Sequence, residues 1–116
     1  MIPGDCCRMI RMDLALVMTM VPEAGIGEEI AEALVSSRVA ACVNVVGGAT
    51  SFYWWEGELQ KDSEALLLIK TRAQLVSSVK GTIEKLHPYE LPEVIVLPIS
   101  GGSERYISWL VEETTR

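Results

Sequence analysis

Three short segments of the sequence are apolar at every position: LALVM at 14–18, ALLLI at 65–69 and VIVL at 94–97. Their length is typical of strands, and neighbouring residues of a strand point to opposite faces of a sheet. A sheet built from these segments therefore has two apolar faces. Helices of the same chain can cover one face and part of the other, and a second copy of the chain is the simplest cover for the rest. The sequence thus predicts a homo-oligomer in which sheets pack together.

Strand and helix patterns alternate along the chain. Strands are predicted at 13–20, 38–46, 50–58, 64–71 and 93–100, with helices starting near Pro22, over 72–86 and after the capping residue Ser103. Gly47 and Gly48 indicate either a bulge in one long strand or a tight turn, and the polar stretch 56–64 has the composition of a turn region. The order is therefore β-α-β-β-α-β with a C-terminal helix. That is an α+β fold of the ferredoxin-like type, with both main helices on one face of an antiparallel sheet.

Length and charge limit the class of protein. The 116 residues fit a single domain over 13–116, preceded by a leader of residues 1–12. The 16 acidic and 10 basic residues give a net charge of −6, which argues against a nucleic-acid partner because such partners need a basic face. No apolar run approaches the ~20 residues of a membrane span. With no apolar signal segment at the N-terminus, we expect a cytoplasmic protein.

The cysteines are Cys6, Cys7 and Cys42, an odd number without framework spacing, which is typical of free thiols in a reducing compartment. Cys6 and Cys7 are either inert residues of a leader or a pair of ligands for a soft metal. Cys42 lies in a predicted strand, where alternation places it on one face with Ala40 and Asn44. Its apolar neighbours favour a buried, inert thiol, although a thiolate there would be a good metal ligand.

The segment HPYELPE at 87–93 holds the only histidine of the chain. Pro88 should end the preceding helix, because the residue before a proline is disfavoured in the helical region. Neutral imidazole suits copper, zinc and nickel, and Glu93 could complete such a shell together with or instead of Glu90. A histidine at the C-terminal end of a helix is also mildly favourable without any ligand. The segment is therefore either a metal site or a plain connection from helix to strand.

Five motifs point to a known family: AACVN at 40–44, TSFYWWEG at 50–57, EALLLIKT at 64–71, HPYELPE at 87–93 and YISWL at 106–110. Together they closely resemble the CutA family, the divalent-cation-tolerance proteins, over about residues 14–112. The resemblance implies a trimer of ferredoxin-like subunits, similar to the trimers of PII-type signalling proteins. It also implies a long central β-hairpin over about 39–70 that joins neighbouring sheets, binding of copper, and no established catalytic activity.

The chain departs from this family at one place. Some members carry a cysteine just before the first helix and a second histidine directly before the HPY motif. Here the first region reads VMTMVPE at 17–23, and Leu86 precedes His87. A Cys-His-His site of that kind is incomplete, so copper would need His87 with other ligands, which a neighbouring subunit could supply.

The remaining candidates are polar or aromatic residues near strand ends. Lys70 either extends its amine to solvent or contacts an anion in a cleft between subunits. Aromatic side chains with a polar tip are favoured in such clefts and interfaces. The residues expected to line the cleft, with Asn44 orienting a ligand, are Asn44, Tyr53, Lys70, Tyr89, Tyr106 and Trp109.

Three hypotheses of function follow. The first is a cytosolic homotrimer that binds a divalent metal, most readily copper, through His87, Cys42 and Glu93. The second is a PII-like regulatory trimer that binds a small anion or metabolite through Lys70 and backbone groups. The third is an enzyme with His87 as base and Glu93 as its orienting acid. We predict that the protein is not an enzyme and that it is a metal-binding protein linked to divalent-cation tolerance, with the PII-like trimer as the alternative.

Overall fold

The apolar segments form the predicted strands. A computed structural model describes residues 13–115, and the expected leader, with Cys6 and Cys7, lies outside the described residues. The elements are β1 (Leu14–Val21), α1 (Ala24–Ser36), β2 (Cys42–Trp55), β3 (Glu58–Arg72), a 3-10 turn (Ala73–Leu75), α2 (Val76–Leu86), β4 (Ile95–Ile99) and α3 (Glu104–Glu113). This order confirms the ferredoxin-like α+β fold. Among these elements, none of the helices is long and apolar enough to cross a membrane.

The four strands form one antiparallel sheet in the order β2-β3-β1-β4. Val17 of β1 lies opposite Ile69 of β3, so both side chains point to the same face. The helices α1 and α2 cover this first face, where Leu34 and Ile83 are fully buried against it. Burying each such aliphatic side chain stabilises the fold by roughly 1.5–3 kcal/mol.

Helix α1 approaches the sheet closely at Gly27, which is buried. A Cβ atom at this position would lie 2.9 Å from Cδ1 of Leu67 and 3.2 Å from Cγ1 of Val45. Both distances are shorter than a normal contact between carbon atoms, which is about 3.5–4.0 Å. The absence of a side chain at Gly27 therefore sets how near the helix can pack.

Strands β2 and β3 extend beyond the rest of the sheet. Residues 49–64 pair only with each other and form a two-stranded ribbon, while β1 ends opposite Ala65. The register shifts between Val46 and Ala49, so the two glycines form a bulge in one long strand, with Gly48 at φ 83°. This confirms the long central hairpin.

The turn of the hairpin is shorter than the sequence suggested. Glu56 and Gly57 have φ values of 52° and 82°, the pattern of a two-residue type I′ turn. The prediction of a turn region over 56–64 is wrong, because β3 begins at Glu58. Polar residues in this stretch follow strand alternation on an isolated ribbon, where neither face is fully buried.

The face of the sheet away from α1 and α2, called the second face, is also apolar. Helix α3 covers one end of it, where Ile107 and Leu110 pack on Leu14 and Ala41. The rest stays open, because Val46, Ile95 and Leu97 are 47%, 47% and 42% exposed. This confirms the prediction of two apolar faces, although the last strand covers 95–99 rather than 93–100.

Helix α3 starts and ends on specific contacts. The hydroxyl of Ser103 accepts a hydrogen bond of 3.2 Å from the backbone N–H of Tyr106, which confirms the predicted cap. Arg72 donates to the hydroxyl and the carbonyl of Thr114 at 3.0 and 2.7 Å. Tyr106, in the first turn of this helix, is 41% exposed.

Candidate functional site

The connection between α2 and β4, residues 87–94, is organised by His87. Its imidazole is buried, 7% exposed. Nε2 lies 2.6 Å from the carbonyl oxygen of Met20, and Nδ1 lies 3.1 Å from the backbone nitrogen of Tyr89. A carbonyl only accepts and an amide N–H only donates, so these partners assign the proton to Nε2 and the lone pair to Nδ1. His87 thus ties the end of α2 to the end of β1.

This geometry bears on the metal hypothesis. A metal ion binds the lone pair of an imidazole nitrogen, and the lone pair of Nδ1 already accepts the N–H of Tyr89. Coordination by His87 would first require that one of its two hydrogen bonds is broken. The same holds for a role of His87 as a catalytic base, the third hypothesis above. In the arrangement seen here, His87 is a structural residue that orients segment 87–94.

Tyr89 connects His87 to strand β3. Its ring lies 4.7 Å from that of His87, centroid to centroid, with the planes tilted by 50°. Its hydroxyl donates a hydrogen bond of 2.8 Å to Oε2 of Glu64, a buried residue of β3. Burial, and then the hydrogen bond to Glu64, raise the pKa of Tyr89. The phenol therefore stays neutral and acts as a donor well above physiological pH.

A second pair of a tyrosine and a carboxylate lies nearer the tip of the ribbon. The hydroxyl of Tyr53 donates a hydrogen bond to the carboxylate of Asp62. That hydrogen bond is the main cause that raises the pKa of Tyr53. Glu64 and Asp62 are two residues apart on β3 and share one face of the ribbon. Two tyrosine–carboxylate pairs therefore lie side by side on the face that continues the second face of the sheet.

Tyr53, Glu64 and Tyr89 border a cleft between segment 87–94 and the ribbon, here called the acidic cleft, with a volume of about 510 Å³. Three of its residues carry carboxylates and none carries a basic group. Aromatic and aliphatic side chains make up most of the remaining wall. The lining residues are Met20, Tyr53, Trp54, Trp55, Glu64, Pro88, Tyr89, Glu90, Leu91 and Glu93.

The other predicted site residues form a separate group near the opposite end of the second face. Cys42 lies directly across from Lys70, and its Sγ is 3.9 Å from Oδ1 of Asn44. The amine of Lys70 lies 5.9 Å from the centre of the Tyr106 ring. The ring of Tyr106 in turn lies 5.3 Å from that of Trp109. This second set is called the Lys70 group.

The sheet register separates the two sets. Lys70 is the neighbour of both Cys42 and Leu16, whereas His87 bonds to Met20, four residues further along β1. Four residues of strand span about 13 Å. One subunit therefore does not bring Cys42 together with His87 and Glu93. In the described part of the chain, residues 13–115, no three His, Cys, Asp or Glu side chains are close enough to hold a metal ion.

Sequence reasoning missed Glu64 and Asp62. Glu64 directly precedes the apolar run of β3, near the middle of that strand, and this position was the only signal in the sequence. Its partner Tyr89 is 25 residues away in sequence. Only the fold reveals that the HPYELPE segment passes over the base of the ribbon.

Comparison with known proteins agrees with this architecture. Residues 15–113 match the family model described as CutA1 divalent ion tolerance protein. The chain belongs to the CutA1 family. This confirms the family suggested by the five motifs, and it links the chain to divalent-cation tolerance.

Individual relatives support the assignment. The divalent-cation tolerance protein CutA of Thermus thermophilus is 46% identical over 99 residues, covering 85% of this chain and 96% of the relative. The chloroplastic protein CutA 1 of rice, Oryza sativa, is 44% identical over 85% of this chain, which spans only 56% of that longer relative. The fold also matches a solved structure, that of the divalent cation tolerance protein Cut A1 from Thermus thermophilus, with a TM-score of 0.85. The two sequences are 44% identical, and the match covers 87% of this chain and 98% of the other.

Proposed function

We propose that this CutA1 protein is a homotrimer that binds a divalent cation, with copper as the first candidate. The observation that carries the proposal is the acidic cleft, where Glu64, Glu90 and Glu93 line one cavity without a lysine or arginine beside them. Such a cavity attracts cations. The family's link to divalent-cation tolerance supports the same conclusion.

The open part of the second face supports an oligomer. Leu97 lies opposite Leu16, and Ile95 lies opposite Met18, so the exposed side chains of β4 continue an apolar surface across the sheet. Contiguous apolar surface of this kind marks an interface in soluble proteins. The number of subunits, three, is what the family resemblance implies.

The ligand set we propose is shared between subunits. Glu93, and Glu90 beside it, line the cleft and are free to turn toward an ion. Copper prefers nitrogen and sulfur ligands, so a second group is needed. Cys42 of a neighbouring subunit would supply a thiolate, and His87 would add a nitrogen if its bond to the Tyr89 amide opens on metal binding.

A chelator-competition titration with Cu(II) tests this set. All proteins carry Cys6→Ser and Cys7→Ser, so that the terminal thiols do not compete. Glu93→Gln, Cys42→Ser and His87→Ala are compared with Glu84→Gln, which removes one charge from an exposed position of α2. Loss of a real ligand should weaken binding about tenfold or more. If all four curves overlay, metal is bound elsewhere and the ligand set is wrong.

The PII-like alternative places its ligand at the Lys70 group rather than in the acidic cleft. The observation in its favour is the cation of Lys70 near the ring of Tyr106, which lies beside the ring of Trp109. A small organic anion would contact the amine and stack on the rings. A Lys70→Met variant that loses saturable binding of such an anion, while Cu(II) binding is unchanged, would favour this alternative.

For the compartment we propose the cytoplasm, which rests on the composition and on Cys42, a cysteine without a disulfide partner among residues 13–115. The name of the rice relative places that protein in the chloroplast. Cell fractionation with an antibody against the chain tests the location, and recovery outside the cytosolic fraction would contradict it.

A further inference from the structure

We propose that the acidic cleft binds a small organic cation, an ammonium, amidinium or guanidinium group attached to an apolar body. This site lies within one subunit, so it does not require the shared ligand set proposed for the metal. Its volume, about 510 Å³, is in the range of roughly 300–1,000 Å³ that is typical of small-molecule sites.

The first argument is the position of Glu64. Its side chain belongs to a residue that is only 7% exposed, yet it lines the cleft. Over residues 13–115, Tyr89 is the only donor to its carboxylate. A carboxylate has about four acceptor positions, and its hydrogen bonds to charged donors are the strong ones. The second oxygen of Glu64 is not enclosed by the protein, so a cationic donor in the cleft can reach it.

The second argument is the aromatic wall. Tyr53 and Trp55 are on the ribbon face that borders the cleft, and Tyr89 faces them from segment 87–94. In the single chain Tyr53 and Trp55 are 37% and 40% exposed, and both line the cleft. Aromatic faces attract organic cations, most strongly when the cation is partly removed from water. In one cleft, the carboxylates can therefore bind the cationic group of a ligand while the aromatic rings contact its apolar part.

Other ligand classes fit this cleft less well. An anion would meet the carboxylates of Glu64, Glu90 and Glu93 with no basic residue in the lining. A metal ion in this cleft depends on the further ligand proposed from a neighbouring subunit, because residues 13–115 of one chain do not place three His, Cys, Asp or Glu side chains together. A neutral apolar compound would use the aromatic wall but leave the oxygen of Glu64 without a donor.

A matched pair of probes tests the proposal. Benzamidine carries a planar cation on an aromatic ring, and benzamide has nearly the same shape without the charge. Each is titrated into the full-length protein with a chelator present, and binding is followed by calorimetry and by the fluorescence of Trp54 and Trp55. We expect saturable binding of benzamidine at least tenfold tighter than that of benzamide. The chelator separates this result from the metal proposal.

Substitutions of the glutamates that line the cleft test whether benzamidine binds there. Glu64→Gln and Glu93→Gln should each weaken benzamidine binding about three- to tenfold and leave benzamide unchanged, whereas Glu84→Gln, outside the cleft, should change neither. Glu93 is at the rim of the cleft, so its variant keeps the test valid if Glu64→Gln disturbs folding. The proposal is overturned if benzamidine and benzamide bind equally, if neither saturates, or if Glu84→Gln weakens benzamidine binding as much as the cleft variants do.

Discussion

The hydroxyl of Tyr89 donates a 2.8 Å hydrogen bond to the buried carboxylate of Glu64. This contact joins segment 87–94 to the base of the ribbon and closes one side of the acidic cleft. Because Tyr89 also offers its N–H to His87, the HPY motif links three parts of the fold: the end of α2, the end of β1 and strand β3.

Removing the Tyr89 hydroxyl should destabilise the protein. In Tyr89→Phe the ring packing on His87 is retained, but the buried Glu64 loses its donor, which costs about 1–3 kcal/mol. Urea unfolding monitored by circular dichroism measures the change. Tyr106→Phe is the control, because that hydroxyl is on an exposed side chain. An equal and negligible effect in both variants would show that the bond to Glu64 is unimportant.

The tyrosine pairs also predict a dependence on alkaline pH. The folded-state pKa of Tyr89 is raised above its unfolded value of about 10, so its contribution to stability is fully present below pH ~10 and is lost as the pH rises through the folded pKa. The free energy of unfolding should therefore fall with pH above about 10, and less steeply in Tyr89→Phe. The difference in phenolate absorbance between wild type and Tyr89→Phe should show that Tyr89 ionises above the usual range of a tyrosine. Identical pH slopes in wild type and variant would contradict this.

A pair of glycine substitutions tests the packing of the helices. Gly27→Ala should be destabilising, because overpacking against Leu67 and Val45 costs about 1–3 kcal/mol and outweighs a gain in helix propensity of about 1 kcal/mol. Gly81→Ala in α2 meets no atom within 4 Å and should be stabilising by about 0.5–1 kcal/mol. Thermal unfolding of both variants gives the comparison. The packing argument fails if Gly27→Ala raises the melting temperature as Gly81→Ala does.

The open part of the second face should be needed for assembly. Leu97→Lys places a charge on this surface and should shift the protein toward the monomer in analytical ultracentrifugation. Val35→Lys is the matched control, since Val35 is similarly exposed, at 40%, but lies on α1, away from the second face. Assembly that is unchanged in Leu97→Lys, or lost equally in both, would place the subunit interface elsewhere.

The sequence predicted the fold well because the deciding signals are local. The apolar runs, the helical stripes and the cap at Ser103 each depend on residues close together in the chain. The stretch 56–64 was misjudged because it forms an isolated ribbon, where polar strand residues look like a turn. Only two residues, Glu56 and Gly57, are needed to reverse the chain.

The candidate site was less predictable because it depends on contacts between distant segments. The role of His87 is set by the carbonyl of Met20, which is 67 residues away. Cys42 was grouped with His87 by ligand chemistry, yet the register of β1 and β3 places them at different ends of the sheet. Chemical type suggested which residues are functional candidates, but not which of them lie together.

The most direct test of the proposed function is native mass spectrometry of the full-length protein carrying Cys6→Ser and Cys7→Ser, with and without Cu(II). We predict a mass of three chains that retains a fixed number of copper ions per trimer and loses them to a chelator. The same trimer without stoichiometric copper would contradict the metal site, and a monomer under native conditions would contradict the assembly as well.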